Sequence, residues 1–233
     1  TVFLVVTKGG KVSWAKIGSV AVYGDTVVNE EVMELISAVR DGFELELAPR
    51  LTMEGTGGTY FMRGPHKGDV GVFKPADEEP FAPNNPRGYT GVMGQPTFRP
   101  GVVSGEGHLR EVTAYFIDRR ETPAQPGFMG VPVTTRVEMC HAKGSVKADP
   151  FAPSPLHGIS FNIISPGNTV TAKHSGREKI VQVGSLQECV VYDDLAGDVS
   201  SSIFPVEEVH KIALLDIRLV NTDRNDANIL VKR

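Results

Sequence analysis

Cysteine is nearly missing from this sequence: Cys140 and Cys189 are the only two in 233 residues, far apart, with no C-x-x-C pair and no histidine cluster around them. That leaves no material for a disulfide framework or a structural zinc site, and buried thiols in a reducing compartment are the expectation. Long apolar runs are missing too. No stretch approaches the roughly 20 residues that a membrane-spanning helix needs. Residues 1–7 are too short for a complete signal-peptide pattern, so the chain reads as cytoplasmic. Charge of one sign is also absent: a formal net charge of −4 is not the basic surface of a nucleic-acid binder, although a local basic patch can still make a peripheral contact with anionic lipid. No internal repeat is visible. The composition is that of an ordinary globular protein, long enough for one large domain or two lobes.

Residues 1–44 read as a leader, in which β-branched segments 1–7 and 12–22 around a Gly-containing turn suggest a small hairpin or meander. A helix over 29–40 follows, with Val32, Leu35, Ile36 and Val39 on one face, Asn29 as its cap and Asp41-Gly42 as its stop. Residues 51–62 then place Gly55, Gly57 and Gly58 between strand formers, with Thr56 and Thr59 beside them. Glycine lets backbone N–H groups approach an anion, so such a hairpin can cover phosphates. An ordinary Gly-rich hairpin has the same spacing, which is neither a Rossmann fingerprint nor a P-loop.

The strand 70–74 directs Val70, Val72 and Lys74 to one side, and Pro75 ends it. Lys74 either snorkels to water or sits where a kinase-like fold keeps a phosphate-binding ammonium. Residues 76–101, rich in Pro, Gly and Asn, read as a long irregular insertion. Helical spacing resumes over 106–119, where Glu111 could meet Lys74 or simply be solvated. Strands are expected over 131–139 and 159–164, with His141, His157 and His174 scattered among loops without metal-ligand spacing. The apolar run 180–191 is either a buried strand or a crossing segment whose backbone could reach an adenine ring.

After Pro205 an apolar face recurs at Val206, Val209, Ala213, Ile217 and Val220, the pattern of a buried helix. It delivers a polar run, 221–228, followed by a short apolar strand at 229–231. In that run Asp223 and Asn228 stand in the order D-x-x-x-x-N, the spacing of a kinase catalytic loop, where the acid orients the attacking hydroxyl and the amide holds a metal ion. Acid and amide residues are also common turn formers.

The runs EGTGGTYFMRG, VFKPADEEPFAPNNPRG, EGHLREVTAY, VGSLQECV and FPVEEVHKIALLDIRLVNTDRNDANILV extend from Glu54 nearly to the end of the chain. In these runs the sequence resembles the plant gamma-type phosphatidylinositol 4-kinases of the phosphatidylinositol 3- and 4-kinase superfamily. The resemblance implies an α+β, atypical protein-kinase-like two-lobed fold, with a complete β-rich N-lobe at 45–190 and a truncated helical C-lobe at 191–233. It implies that Gly55, Thr56, Gly57, Gly58 and Thr59 cover the phosphates of ATP, that Lys74 binds them, and that Glu111 holds Lys74. It makes Gln187, Glu188, Cys189 and Val190 the hinge, Asp223 the catalytic acid, Arg224 a charge partner, and Asn228 a ligand for Mg²⁺ or Mn²⁺. The implied acceptor is the 4-hydroxyl of phosphatidylinositol, with a protein Ser/Thr acceptor as the alternative and no nucleic acid. The family's second metal-binding aspartate, in a D-x-G segment, does not occur before Arg233. The polypeptide by itself is therefore expected to have little or no activity, or to act as a binding module.

Overall fold

A computed structural model describes residues 2–6, 12–16, 19–23, 28–119, 127–142, 170–174 and 177–232. Strands β1 (Val2–Val6) and β2 (Val12–Lys16) form a separate antiparallel ribbon, as the alternating opening segment suggests. Strand β3 (Ser19–Val22) leaves that ribbon and pairs with a distant strand of the main sheet, so the expected leader contributes an edge of the main body.

Helix α1 (Glu30–Glu44) starts where predicted: the Asn29 side chain accepts the Val32 N–H at 2.8 Å, and Glu30 and Glu31 follow in the first turn. Its apolar face, Val32, Leu35, Ile36 and Val39, is buried. The helix does not stop at Asp41-Gly42. Gly42 is a buried contact inside it, where a Cβ would lie 1.8 Å from the Arg63 carbonyl oxygen, so the glycine serves close packing rather than termination.

The chain then runs through β4 (Arg50–Leu51), β5 (Tyr60–Arg63) and β6 (Asp69–Pro75), helix α2 (Gly107–Asp118), β7 (Thr134–Ala142), β8 (Val170–His174) and β9 (Arg177–Glu188). These strands make a seven-stranded sheet in the order β3-β7-β9-β6-β5-β4, with β8 also on β9. Every pairing in it is antiparallel. The molecule is thus a mixed α/β protein built on one antiparallel sheet. The twelve-residue β9 is its spine, pairing with β7 along one edge and with β8, then β6, along the other. Val181, Gln182, Val183, Ser185 and Leu186 are all buried, as befits a strand covered on both faces.

Phe73 and Leu186 are cross-strand neighbours in the core with Val32, Leu35, Ile36 and Met62. Lys74 and Ser185, the next pair in register, project to the other face by the period of two. The predicted strand at 131–139 begins three residues late because Pro132 cannot donate to a ladder, although the Val133 carbonyl still accepts the Glu188 N–H at 2.8 Å. His141 and His174 lie on β7 and β8 rather than in loops; His157 and the expected strand 159–164 fall outside the described residues.

The 76–106 insertion is irregular but tied down. Asp77 and Glu78 are buried, and Gln182 donates to both from the spine strand at 2.9 and 2.8 Å. The Tyr60 hydroxyl adds a bond of 2.7 Å to Glu78. Finally β10 (Asp194–Leu195) and β11 (Leu230–Val231) close a small ribbon around helix α3 (Val206–Leu219) and a 3-10 turn at Asp226–Asn228. Among the described residues no helix is long and apolar enough to cross a membrane.

The stripe that the sequence assigned to a buried face of α3 is exposed. Val206, Val209, Ile217 and Val220 are all at least half accessible, and Leu215 is the buried residue of the helix. Helix α3 meets α2 on its Leu215 side, and Arg218 reaches the Ile117 carbonyl at the end of α2. None of the described elements covers the opposite side.

Candidate active site

The antiparallel register places Lys74 beside Ser185, and α2 brings Glu111 to both. Lys74 Nζ is ion-paired with Glu111 Oε1, and the Ser185 hydroxyl donates to Oε2 at 2.6 Å. One carboxylate thus holds the lysine with one oxygen and is itself oriented by the other, which fixes the ammonium in position. Ser185 had no motif to mark it; its only signal is being the cross-strand partner of Lys74, which requires the register.

Helix α3 ends at Val220 in the left-handed conformation, φ 49°, and the loop that follows is built from its own side chains. Asn221 accepts the Asp223 N–H at 3.0 Å, and Asn225 and Asn228 form a reciprocal cap over the 3-10 turn. Arg224 grips Asp216 of α3 with two nitrogens, at 2.9 and 2.7 Å, and reaches Asn228 Oδ1 at 3.2 Å. That bond to Arg224 holds the Asp216 carboxyl below its ordinary range, against a smaller opposing effect of burial. Arg224 therefore fastens the loop to its helix. Asp223 stays at the surface of the loop, paired with Arg99 of the insertion at 2.5 Å. Arg99 has no sequence signal to mark it, being one arginine in a Pro/Gly-rich loop.

A cleft of about 830 Å³ lies between Glu111 and this loop; Lys74 and Ser185, both bonded to Glu111, are not among its lining residues. Glu111, Gln187, Val190, Asp223, Arg224 and Asn228 all line it. Its lining carries five cations, Arg99, Arg110, Arg218, Arg224 and Lys232, against two carboxylates, Glu111 and Asp223, a balance suited to a polyanion. Glu188 and Cys189 turn away to a second hollow of about 400 Å³ behind β9, where burial raises the Cys189 thiol pKa. The Cys189 N–H is already bonded to the Val70 carbonyl at 3.0 Å, so of the four expected hinge residues Gln187 and Val190 are the ones at the cleft.

Gly55, Thr56, Gly57, Gly58 and Thr59 lie in the β4–β5 connection but are not among the residues lining the cleft. The insertion fastens this loop: Gly58 N–H donates to the Glu78 carbonyl at 3.0 Å, Asn85 to Thr56 O at 2.8 Å, and Arg87 to Met53 O at 3.1 Å. A Cβ on Gly58 would lie 2.0 Å from Glu78 Oε2, so this glycine accommodates a neighbouring side chain.

Asp223 and Asn228 supply hard oxygen donors of the kind magnesium takes. However, the Asn228 oxygen is engaged by Arg224 and by the Asn225 N–H at 3.3 Å, and among the described residues no group of three His, Cys, Asp or Glu could hold a metal. These residues do not by themselves make a magnesium site.

A strand lysine held by a helix carboxylate, joined by a basic cleft to an acid-amide loop, is the set of parts with which kinase-class proteins position a triphosphate. Comparison with known families agrees: the model for phosphatidylinositol 3- and 4-kinases matches residues 55–233, and the chain belongs to that family. It is 40% identical over 221 residues to phosphatidylinositol 4-kinase gamma 3 of Arabidopsis thaliana, covering 89% of this chain and 34% of that protein. Phosphatidylinositol 4-kinase gamma 4 of Oryza sativa subsp. japonica is 37% identical over 223 residues, 93% of this chain and 33% of the relative. Phosphatidylinositol 4-kinase gamma 7 of Arabidopsis thaliana is 35% identical over 209 residues, 89% and 28% respectively. The chain thus spans about a third of the length of these curated relatives.

Proposed function

We propose that this chain carries the nucleotide-binding part of an ATP-dependent phosphotransferase whose full-length form moves the γ-phosphate to the 4-hydroxyl of phosphatidylinositol. The observation that carries the reading is that Glu111, which holds Lys74, opens on the same cleft as Asp223. The family membership and the names of the gamma relatives support the lipid acceptor and the position of the hydroxyl. The frame we propose is a two-lobed kinase fold, with the large sheet, α1 and α2 in one lobe, α3 and its loop opening the other, and the crossing near residue 190.

On this reading the Lys74 ammonium neutralises phosphate oxygens, Glu111 and Ser185 keep it in place, and Gln187 and Val190 flank the adenine. The Asp223 carboxylate accepts a hydrogen bond from the attacking hydroxyl and aims it, which requires Arg99 to let go of it. Both side chains of that pair are part-exposed, so its release costs about 1 kcal/mol or less. The glycine connection covers the phosphates once its ties to the insertion rearrange. The family implies a divalent metal alongside ATP; Asn228 is the residue of this chain that we assign to it, among ligands these residues do not complete.

Nucleotide binding is the first test. Saturating ATP at about 100 times its dissociation constant should stabilise the protein by about 2.7 kcal/mol in a thermal-shift measurement, and Lys74→Ala should remove the effect. In the full-length protein Asp223→Asn should retain the nucleotide shift and lower turnover on phosphatidylinositol vesicles at least ~100-fold. No shift in the wild type at saturating nucleotide would sink the reading. Phosphorylation of a peptide with phosphatidylinositol left untouched would replace the acceptor.

A further inference from the structure

Helix α2 has no cap of its own. At its N-cap position Glu106 is already helical, φ −95° and ψ −20°, and makes no side-chain capping bond. The open N–H groups are instead received by Glu79, from the turn just past β6. Glu79 Oε2 accepts from Gly105 N–H at 2.7 Å and Gly107 N–H at 2.9 Å; Oε1 accepts from His108 N–H at 2.9 Å. The His108 ring Nδ1 lies 3.4 Å from the same oxygen. The carboxylate is 11% exposed and packs tightly on Gly107, where a Cβ would lie 3.0 Å from its carboxyl carbon.

Glu79 follows Lys74 by five residues, and Glu111 sits one turn inside the helix that Glu79 caps. Strand and helix are therefore joined twice, by the Lys74–Glu111 ion pair and by the Glu79 carboxylate on the helix start. We propose that Glu79 is a positioning residue for the Lys74–Glu111 pair, setting the depth and rotation of α2 so that Glu111 meets the lysine. The inference rests on the nucleotide reading for its consequence in catalysis, but the coupling itself needs no nucleotide.

The chemistry makes a sharp demand on the side chain. Both oxygens of Glu79 are acceptors for backbone N–H groups on different atoms. An amide of the same shape, whichever way it is turned, presents its NH2 to at least one of those donors. Glu79→Gln is then a failed cap that keeps the volume, and Glu79→Asp falls one methylene short.

The test is the reactivity of Lys74 towards an amine-reactive ester, followed by peptide mass spectrometry on the 233-residue protein without nucleotide and normalised to the exposed Lys67. Removing its carboxylate partner frees the amine, so Glu111→Gln is the positive control. Glu79→Gln and Glu79→Ala should each raise the Lys74/Lys67 labelling ratio about two- to five-fold, the range that a part-exposed ion pair supports. Ser200→Ala, which removes the side-chain cap of the 3-10 turn at Ser201–Ile203 and touches no bond of α2, should leave the ratio unchanged. If Glu79→Ala does not fold, which circular dichroism reports, the isosteric Glu79→Gln carries the test. An unchanged ratio in Glu79→Gln alongside a raised one in Glu111→Gln overturns the proposal. A wild-type protein that shows no thermal shift with ATP sinks the nucleotide reading instead and leaves the labelling result intact.

Discussion

Gly55 and Gly58 share one connection, and their surroundings are opposite. Gly55 has φ +94° with nothing near its missing side chain, so Gly55→Ala meets only backbone strain, about 1 kcal/mol. Gly58 has ordinary φ, but a Cβ there would lie 2.8 Å from the Glu78 Cβ as well as 2.0 Å from its carboxylate. Because Glu78 is held by Tyr60 and Gln182, it cannot swing aside without breaking buried hydrogen bonds. Gly58→Ala should therefore cost about 2–3 kcal/mol in urea unfolding, clearly more than Gly55→Ala. Equal losses at the two positions would contradict this account of the loop.

At the scale of the element, the catalytic-type loop owes its shape to an ion pair rooted in the preceding helix. With its pKa depressed, Asp216 stabilises the fold fully above the ordinary carboxylate range near ~4, and the contribution is lost as pH falls through the depressed folded value. Asp216→Asn should lower stability by about 1–2 kcal/mol at neutral pH, and the gap to wild type should close as pH falls below the ordinary carboxylate range of about 4. Stability measured against pH for the two proteins gives the answer directly. The two faces of α3 make a second contrast. Leu215→Ala should destabilise the chain by about 2–4 kcal/mol, whereas Ile217→Ala, on the exposed stripe, should stay within about 0.5 kcal/mol of wild type. A large loss from Ile217→Ala in the same denaturation series would reinstate the stripe as a packed face.

Across the whole molecule, two buried tyrosines tie separate elements together and share a pH dependence: Tyr60 of β5 bonds Glu78 of the insertion, and Tyr115 of α2 bonds Glu31 of α1. Burial, then Glu78, pushes the Tyr60 phenol well above its ordinary value; burial, then the hydrogen bond to Glu31, pushes Tyr115 up to about 12. In the unfolded chain both ionise near pH ~10, while in the folded protein they stay protonated. Their contribution is complete below about pH 10 and declines as pH rises beyond it, with Tyr60 alone supplying up to about 1.4 kcal/mol per pH unit. Tyr60→Phe should be less stable at neutral pH by about 1 kcal/mol and lose stability less steeply above pH 10, as alkaline melting curves would register.

The two helices nearest the large sheet, the glycine connection, the lysine strand and the acid-amide loop were all legible in the sequence. Each depends on local periodicity or on residue types whose chemistry acts over a few positions, as Asn29 capping its own helix shows. The family, too, was legible, because its runs are long and contiguous. Partners distant in the chain were not. Ser185 beside Lys74, Arg99 on Asp223, Gln182 between Asp77 and Glu78, and Glu79 on α2 are separated by 26 to 124 residues, and no local pattern reports the register that joins them. The misread face of α3 has the same origin: amphipathic spacing says that a helix has an apolar side, but which side is covered depends on where its neighbours stand. Sequence alone thus determined which elements form and what chemistry they carry, since those follow from short-range sterics and side-chain type. The tertiary structure decided which carboxylate holds which cation and which surfaces close, because ion pairs and packing are set by distances in space.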